Sequence, residues 1–316
     1  VERETRKPRS RRRVAGSCTP NWISPPRSAP QQAARKIGVW LRPAAPPPAN
    51  RLTVVATFYP LWEFTRQVGG DRVEVVSLVP PGVEPHDWEP SPPDLALSRG
   101  ARLLIYNGAG LEPWVGKLLK ERTDKALSEV SATEGLPLRG TPPDPHVWLD
   151  PILAQSQVEA IRAGLAKADP AHAAAYEANA RAFTAKLADL HREFEQGLAE
   201  CARRQIITSH AAFGYLAARY RLELVSITGL APEAEPSPAE LARLVSFARR
   251  SRARYIFFET LVSPKLAEAL AREVGARTLI LNPVEGLTKD EAAAGKEYLS
   301  LMRENLRNLR EGLGCQ

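Results

Sequence analysis

The sequence predicts an α/β protein in which two lobes with mostly parallel sheets are joined by a single long rigid helix. Short apolar runs alternate with amphipathic helical stretches over residues 51–316, as strands and helices do in a parallel sheet. The chain of 316 residues is also longer than one core usually supports, because single cores stop growing at roughly 250–300 residues. A long helical stretch lies between the two alternating halves, so we expect it to connect them.

Residues 51–150 are predicted to form the N-terminal α/β lobe. Their strand-like runs are rich in valine, leucine and isoleucine, and the runs between them have helical spacing. The predicted strands are residues 51–57, 73–79 and 102–106, and the predicted helices are residues 58–70, 92–98 and 112–122. Residues 123–144 are polar and contain glycine and proline, so we expect a loop there.

Residues 151–200 are predicted to be a helical linker. Two helices, over residues 152–168 and 171–200, are interrupted at Asp169-Pro170. The second would be about 45 Å long at 1.5 Å per residue, which is more than one lobe needs. We therefore expect it to act as a rigid spine.

Residues 201–316 repeat the alternation and are predicted to form the C-terminal α/β lobe. Ser237-Pro-Ala-Glu240 is a capping box that opens one of its helices. The predicted strands are residues 205–208, 222–227, 255–258 and 278–281, and the predicted helices are residues 211–220, 237–251, 263–275 and 289–312. The two halves match in class but not in sequence, so we infer no internal repeat.

Residues 1–50 differ in composition from the rest of the chain. They contain eleven Lys or Arg and two Glu, a net charge of +9; subtracting this from the +7 of the whole chain leaves −2 for residues 51–316. The predicted folded part has no basic field, so we exclude nucleic acid as a partner. We interpret residues 1–50 as a disordered, basic, proline-rich tail.

Membrane and export signals are not recognisable in the sequence. It has no run of 18 or more apolar residues of the kind that spans a membrane. A secretory signal needs an apolar core of roughly 7–15 residues. The longest apolar run near the N-terminus, Ile37-Gly-Val-Trp-Leu41, is shorter than that.

Three of the five histidines lie in loops at or after the carboxyl ends of predicted strands, and these are His86, His146 and His210. Ligands bind at that edge of open α/β sheets. Three imidazoles from three loops favour Zn²⁺, with a fourth position left open. His172 and His191 lie in the linker helices among polar neighbours, where we expect them to be solvated.

The loop around His86 is stiffened before any ligand binds. Pro85 and Pro90 bracket the histidine, and proline restricts both its own φ and the preceding residue. Ser91 then has the position of an N-cap for the next helix. A histidine held in this way is either a metal ligand or an exposed residue of an ordinary strand-to-helix loop, and the motifs elsewhere in the chain decide between the two.

A carboxylate would complete a four-ligand site, and the residues offer three candidates, Glu285, Glu259 and Asp150. Glu285 follows the last predicted strand and lies between Pro283 and Gly286, in a backbone suited to close approach, so we rank it first. Glu259 is either an alternative ligand or a carboxylate that orients an imidazole.

The cysteines leave two interpretations open. An isolated cysteine is usually a small buried apolar side chain. Alternatively, Cys201 and Cys315 could form a disulfide that ties the last helix to the beginning of the second half, which would indicate an oxidising compartment. Cys18 lies in the tail.

Four motifs together carry a resemblance to a known family. They are Pro-His86-Asp-Trp-Glu-Pro, Asp-Pro-His146-Val-Trp-Leu-Asp-Pro, Ser-His210-Ala-Ala-Phe-Gly-Tyr and Leu-Asn-Pro-Val-Glu285-Gly-Leu. In this order they resemble the zinc/manganese substrate-binding proteins of bacterial ABC importers, over about residues 51–316. The resemblance implies two α/β lobes with a metal at their interface, delivery of that metal to a membrane permease, and a monomer with no enzymatic activity.

The resemblance also implies roles for individual residues. His86, His146, His210 and Glu285 match the family's metal ligands, and His210 stands where manganese-preferring relatives tend to have a carboxylate, which favours Zn(II) over Mn(II). Many zinc relatives carry a His-rich loop between the first two ligands, but residues 87–145 contain no histidine. Other relatives pair a C-terminal cysteine with one before the third-ligand strand, which implies a Cys201–Cys315 disulfide.

The resemblance places the protein in the periplasm or on the outer face of the cytoplasmic membrane. Membrane association would then come only through the permease or a lipid anchor. An alternative is a manganese-preferring binding protein of the same family; a zinc-dependent hydrolase and a structural or adhesive metal protein are further alternatives. Because ligand imidazoles must be neutral, we expect metal affinity to fall as the pH drops through about 6.5.

Overall fold

Eight parallel strands and ten α-helices alternate along the part of the chain that the structure, a computed structural model, describes: residues 51–120, 128–232 and 236–316. The predicted disordered tail, residues 1–50, lies outside these described residues. The α/β prediction is confirmed.

The first lobe contains a four-stranded parallel sheet in the order β2-β1-β3-β4. Its strands are β1 (Leu52–Ala56), β2 (Val73–Ser77), β3 (Leu103–Tyr106) and β4 (Ser128–Ser131). Its helices are α1 (Tyr59–Gly69), α2 (Pro92–Gly100) and α3 (Val115–Lys120). The inner strands β1 and β3 carry the buried Val54, Val55, Leu104 and Ile105, which explains why their sequences are almost continuously apolar.

Strand β4 corrects the prediction of a loop over residues 123–144. It pairs in parallel with β3 at the edge of the sheet, in the register Leu103↔Ser128 and Ile105↔Val130. Its sequence, Ser-Glu-Val-Ser, has one apolar residue and therefore no recognisable strand pattern. An edge strand can form from such a sequence because backbone pairing with its neighbour holds it in place.

Two helices, α4 (Pro151–Ala168) and α5 (Ala173–Gly197), follow the first lobe. A one-turn 3₁₀ helix, Pro170–His172, separates them at the predicted break. Helix α5 has 25 residues and is about 38 Å long, which is shorter than predicted because the helical backbone ends at Gly197. It contacts α1 and α4 of the first half and the last helix of the second half, as a connecting spine would.

The second lobe contains two pairs of parallel strands, β5-β6 and β7-β8, with β5 beside β7. The strands are β5 (Gln205–Thr208), β6 (Glu223–Ser226), β7 (Tyr255–Phe258) and β8 (Arg277–Ile280). The helices are α6 (Gly214–Arg219), α7 (Pro238–Arg250), α8 (Lys265–Val274), α9 (Lys289–Ala293) and α10 (Tyr298–Leu313). Ser237 and Glu240 form the predicted capping box of α7.

The single helix predicted over residues 289–312 is instead two helices, α9 and α10. The chain turns at Gly295, which has a φ of +64°. Glu297 then caps α10, where it forms a reciprocal capping box with Ser300. The residues of α9 are mostly polar, so the apolar spacing of α10 gives no clear sign in the sequence of where α9 ends and α10 begins.

The largest hydrophobic cluster is shared by both lobes. It includes side chains from β1, α1, α4 and α5 as well as from α10. At its centre the ring of Phe64 lies 4.9 Å from that of Tyr298 and 5.6 Å from that of Phe183. Smaller clusters lie on the outer faces of the two sheets, against α2 and α3 in one lobe and against α7 and α8 in the other. The lobes are therefore joined by a common core as well as by α5.

A disulfide between Cys201 and Cys315 joins the segment before β5 to the end of α10, across a sequence separation of 114 residues. This pairing agrees with the prediction. Within the described residues, every helix is either too short or too polar to cross a bilayer.

All of the strands are parallel, so each sheet presents its carboxyl ends along one edge. The loops at these edges carry the residues singled out above. His86 follows β2, His146 follows β4, His210 follows β5, Glu259 follows β7 and Glu285 follows β8. The topology thus brings five side chains, distant in sequence, to the region between the lobes.

Candidate metal centre

His86 lies in a one-turn 3₁₀ helix, Pro85–Asp87, in the loop between β2 and α2. Glu84 caps this turn, and its Oε1 accepts a hydrogen bond from the backbone nitrogen of His86 at 3.2 Å. Gly82 has a φ of +86° and donates its backbone N–H to the carbonyl of Leu287 in the second lobe, at 2.7 Å. The loop is therefore held both by its own residues and by the opposite lobe.

His146 precedes a second 3₁₀ turn, Val147–Leu149, and is fully buried. The Oδ1 of Asp144 lies 2.7 Å from His146 Nδ1 and 3.0 Å from its backbone nitrogen. This carboxylate fixes the ring, so that Nε2 faces the space between the lobes. The indole of Trp148 donates to the carbonyl of Pro283 at 2.8 Å, which ties the turn to the Glu285 loop.

His210 is also fully buried, directly after β5. Glu259, at the end of β7, contacts it in the way that Asp144 contacts His146. Its Oε2 lies 2.7 Å from His210 Nδ1, and its Oε1 accepts from the backbone nitrogen at 3.0 Å. The two buried histidines thus have the same arrangement, in which a carboxylate holds Nδ1 and leaves Nε2 free for a ligand.

Glu285 is held in place by an unusual backbone. The preceding residue, Val284, has a φ of +57°, a conformation that is strained for a β-branched residue. The side chain of Asn282 stabilises this turn by accepting from the Val284 nitrogen at 2.7 Å, and Asn305 of α10 holds Asn282 through two hydrogen bonds to its backbone. The rigid turn directs the Glu285 carboxylate towards the three imidazoles.

Ligand atoms from His86, His146, His210 and Glu285 all lie within 4.8 Å of one another. Nε2 of His146 is 3.2 Å from Nε2 of His86 and 3.3 Å from Nε2 of His210. Oε1 of Glu285 is 3.4, 3.0 and 3.4 Å from the Nε2 atoms of His86, His146 and His210. Four ligands at the corners of a regular tetrahedron, each about 2.0–2.1 Å from a zinc ion, would lie about 3.3 Å apart. The spacing therefore fits a tetrahedral Zn²⁺ site.

The surroundings of the Glu285 carboxylate also favour a bound cation. The residue is fully buried, and neither of its oxygens has a geometrically acceptable hydrogen-bond partner among the described residues. Burial alone would raise the pKa of Glu285, but the facing imidazoles of His210, His146 and His86 hold it well below its ordinary value. A buried carboxylate that remains ionised without hydrogen bonds fits a metal ligand.

The pKa values of the two buried imidazoles, His146 and His210, shift in the opposite direction. Burial disfavours their charged forms, but neighbouring carboxylates outweigh it. Asp144 and Glu285 raise the pKa of His146, and Glu259 and Glu285 hold the pKa of His210 well above its ordinary value. Protons and a cation therefore compete for the ring nitrogens of this cluster.

The structure also places the remaining candidates. Asp150 lies away from the cluster, where it caps α4 through the nitrogen of Ile152 and forms an ion pair with Arg219. Its candidacy as a ligand is wrong, because these contacts use its carboxylate. Glu259 faces His210 Nδ1 and is not among the four residues of the cluster. His172 and His191 are partly exposed, contact Asp169 and Tyr220 respectively, and are not part of the cluster.

Sequence analysis missed two acidic residues beside the site, Asp144 and Glu84. Asp144 stands two residues before His146, as Glu84 does before His86, with a proline between in each case. This repeated acid-Pro-His pattern was a signal that could have revealed both. Burial, and then the negative charge of Glu285, raises the pKa of Glu84 to about 9.

Comparison with known proteins assigns the family. The sequence profile of ZnuA, described as zinc-uptake complex component A, periplasmic, matches residues 54–312. The chain belongs to the ZnuA family. The match covers both lobes and all four residues of the cluster.

Two curated ZnuA-family relatives show how the lengths compare. The chain is 40% identical to the high-affinity zinc uptake system protein ZnuA of Bacillus subtilis over 281 residues, which is 84% of this chain and 88% of the relative. It is 39% identical to the zinc-binding lipoprotein AdcA of Streptococcus pneumoniae over 279 residues, but covers 56% of that longer protein. The chain thus corresponds to nearly all of one relative and to about half of the other.

Solved structures of ZnuA-like proteins share the fold. The Zn(II)-bound ZnuA-like domain of Streptococcus pneumoniae AdcA has a TM-score of 0.76 and 40% identity, with 84% of this chain and 99% of that one covered. The laminin-binding protein Lmb of Streptococcus agalactiae, described as a bifunctional protein with adhesin and metal transporting activity, has a TM-score of 0.78 and 34% identity, with 83% and 99% covered. These similarities confirm the two-lobed solute-binding fold.

Proposed function

We propose that this protein is an extracytoplasmic solute-binding protein that captures Zn(II) and delivers it to the permease of an ABC importer. The observation that carries the proposal is the closed cluster of three imidazoles and one carboxylate at tetrahedral spacing. We assign His86, His146, His210 and Glu285 as the ligands, with Glu259 and Asp144 orienting two of the imidazoles. Membership of the ZnuA family supports the same function.

Zinc fits the cluster better than manganese does. Three nitrogen ligands and one oxygen suit a borderline-soft ion, whereas Mn²⁺ prefers carboxylate, carbonyl and water oxygens. Each buried imidazole is also held by a carboxylate, the arrangement common at zinc sites. The alternative within the family is a manganese-preferring protein, and competition between the two metals distinguishes them.

The closed site supports binding over catalysis. A catalytic zinc site keeps one position for water or substrate, and four protein ligands leave none. The two nearest orienting carboxylates, Glu259 and Asp144, are occupied by His210 and His146 and are not free to act as a general base. We infer that this protein is not a zinc-dependent hydrolase.

The position of the site provides a route for release. Two ligands, His86 and His146, come from residues 51–150, and two, His210 and Glu285, come from residues 201–316. A small shift of loops separates the pairs. Because α5 and the shared core brace the lobes, we expect loop rearrangement and not wide domain closure. In this proposed division of the chain, residues 151–200 form the linker between the two lobes.

For location and assembly, we propose the periplasm or the outer face of the cytoplasmic membrane. The matching family is described as periplasmic, and AdcA is described as a lipoprotein. The Cys201–Cys315 disulfide is consistent with an oxidising compartment. We further propose a monomer whose membrane association comes through the permease or a lipid anchor.

The proposal is tested by metal analysis of the purified protein and by competitive titration of Zn²⁺ against Mn²⁺. We expect one tightly bound zinc per chain. Glu285→Ala removes a ligand and should weaken binding by more than about 100-fold, whereas Glu259→Ala removes an orienting contact and should weaken it by about 10–100-fold. Preference for Mn²⁺, or loss of binding only in Glu259→Ala, would contradict the assignment.

Metal exchange separates transport from a structural role. A delivered metal must leave without loss of the fold, whereas stripping a structural zinc unfolds the protein. We expect a chelator to remove the zinc while circular dichroism retains its helical signal. Unfolding on removal would favour a structural metal.

A further inference from the structure

Glu84 is a carboxylate beside the cluster that the four-ligand site does not use. One of its oxygens, Oε1, is fixed by the backbone nitrogen of His86 at 3.2 Å. The other, Oε2, is buried and has no hydrogen-bond partner among the described residues. The turn of the His86 loop therefore holds the Glu84 carboxyl group next to a metal ligand, where it also interacts with the Glu285 side chain.

Glu84 also lines a cavity of about 330 Å³ between the lobes. At its outer end are the exposed residues Asp87 and Ser263, and deeper inside is Ser209, the neighbour of the buried His210. A divalent cation with about six waters needs about 180 Å³ at about 30 Å³ per water. The cavity is therefore large enough to hold a hydrated cation beside Glu84.

His86 is the residue of the cluster that is most exposed to solvent. Its side chain is 10% exposed, whereas those of His146, His210 and Glu285 are 0% exposed. Glu84 lines the cavity and is also hydrogen-bonded to the backbone of His86, so it connects the cavity to this ligand.

We propose that Glu84 is a transfer ligand, which takes a hydrated divalent cation from this cavity, passes it to His86 and Glu285, and takes it back on release. The inference rests on the proposed function and adds a step to it. A carboxylate oxygen displaces one water from the arriving cation. His86 Nε2 and the Glu285 carboxylate then displace further waters, and Glu84 leaves as His146 and His210 complete the site.

A residue that assists metal transfer should change the rates of zinc association and zinc release more than it changes the equilibrium affinity for zinc. The test uses Glu84→Gln in the full chain, with stopped-flow measurement of Zn²⁺ association and of zinc release to excess chelator. We expect both rates to fall at least about tenfold, equivalent to about 1.4 kcal/mol in the barrier. The equilibrium affinity for Zn²⁺ should change by less than either rate.

Glu89→Gln is the matched control, because it makes the same substitution at an exposed position of the same loop that does not line the cavity. Glu84→Asp keeps a carboxylate but withdraws it, so its rates should fall between those of Glu84→Gln and the wild type. It also preserves the test if Glu84→Gln fails to fold.

Three results would overturn the transfer role. Rates of Glu84→Gln that match those of Glu89→Gln would show that Glu84 has no specific part in the transfer. Faster zinc release would show that Glu84 stabilises the bound metal, and Glu84→Asp rates equal to those of Glu84→Gln would show that the carboxylate is not used. A wild-type chain that binds no zinc would instead contradict the proposed function itself.

Discussion

At the scale of single residues, the orientation of His146 depends on the opposite lobe. Asp144 holds the ring, and Asp144 is itself braced by the segment that follows His210. The hydroxyl of Tyr215 donates to the carbonyl of Asp144 at 2.9 Å. A Cβ added to Gly214 would lie 2.6 Å from Asp144 Oδ2, so only glycine allows this approach. The geometry of one ligand is therefore set by contacts between lobes.

We predict that Gly214→Ala weakens zinc binding without preventing folding. The new methyl group displaces the Asp144 carboxylate from His146 Nδ1, and loss of such a contact typically costs about 10–100-fold in metal affinity. Gly116→Ala is the control, because nothing lies within 4 Å of a Cβ added there. Equal zinc affinity in the two variants by competitive titration would contradict the role given to Asp144.

Protons and zinc compete for the same atoms. The pKa values of His146 and His210 are raised, so the stability they give to the metal-free protein is present below their unfolded value of 6.5 and is lost as the pH rises through the folded values. The pKa of Glu285 is lowered, so its contribution is present above the unfolded value of 4.5 and is lost only as the pH falls through its folded value. Zinc binding requires the imidazoles to be neutral.

We predict that the zinc-induced rise in Tm is larger at pH 8 than at pH 6. The decline in affinity should begin above pH 6.5, because both raised pKa values keep protons on the imidazoles at higher pH than in a free histidine. Thermal unfolding with and without zinc at each pH checks this, since the difference cancels groups that the metal does not touch. An equal rise at both pH values would refute the histidine ligand set.

Much of the site was predictable from residue types and their positions. His86, His210 and Glu285 were singled out because each follows a predicted strand, whereas His146, whose preceding strand β4 was not predicted, was singled out by its proline-flanked motif and the family resemblance. Asp144 and Glu84 were missed because an acidic residue before proline is common in turns, and only the folded structure shows that its carboxylate is turned towards a buried site. The ranking of Glu285 over Glu259 depended on backbone shape and family resemblance.

At the scale of elements, helix α7 ends in a motif that favours glycine but contains arginine. The nitrogen of Arg252 donates to the carbonyl of Arg249, and that of Ala253 donates to the carbonyl of Ala248, which is a Schellman motif. Arg252 therefore has a φ of +50°. A left-handed conformation at a residue with a side chain stores strain.

We predict that Arg252→Gly stabilises the protein by about 1 kcal/mol, because glycine adopts this conformation without strain. Arg250→Gly is the matched change two residues earlier. It lies within α7 and should destabilise by about 1 kcal/mol, since glycine is a poor helix former. Chemical denaturation of both variants gives the comparison, and effects of the same sign would show that the motif does not determine the result.

The elements that sequence analysis missed share a cause. Buried strands and amphipathic helices were predicted because burial imposes an apolar pattern, as in β1, β5 and α7. The edge strand β4 has a single apolar side chain, Val130, which is only partly buried against the main cluster, and the break between α9 and α10 depends on Gly295 and a cap rather than on apolar spacing. Patterns that arise from burial can be recognised in one sequence, whereas those that arise from backbone pairing depend on the neighbouring strand.

At the scale of the whole molecule, the disulfide and the metal site stabilise different parts of the fold. The Cys201–Cys315 bond closes a loop with a sequence separation of 114 residues near the beginning of β5 and the end of α10. The four ligands lie in the loops at the carboxyl ends of strands, at the opposite end of β5. Loss of one should therefore leave the local geometry of the other in place.

We predict that replacing both cysteines by serine lowers the free energy of unfolding by about 2–5 kcal/mol. Zinc affinity at a temperature where the protein is folded should be unchanged, because neither cysteine contacts the ligands or the carboxylates that orient them. Denaturation and zinc titration of the same double variant test this. A loss of affinity in the folded variant would show that the bond also determines the geometry of the site.

The position of α10 in the shared core affects how the protein is made. Tyr298 is fully buried, its ring lies against Phe64 of α1, and its hydroxyl donates to the carbonyl of Trp148. The core of the first half is therefore incomplete until α10 has been synthesised. A nascent chain stalled before α10 would expose the apolar face of α1 and the turn that carries His146. Such a chain would be a substrate for chaperones and proteases, so zinc would be held only by chains synthesised through α10.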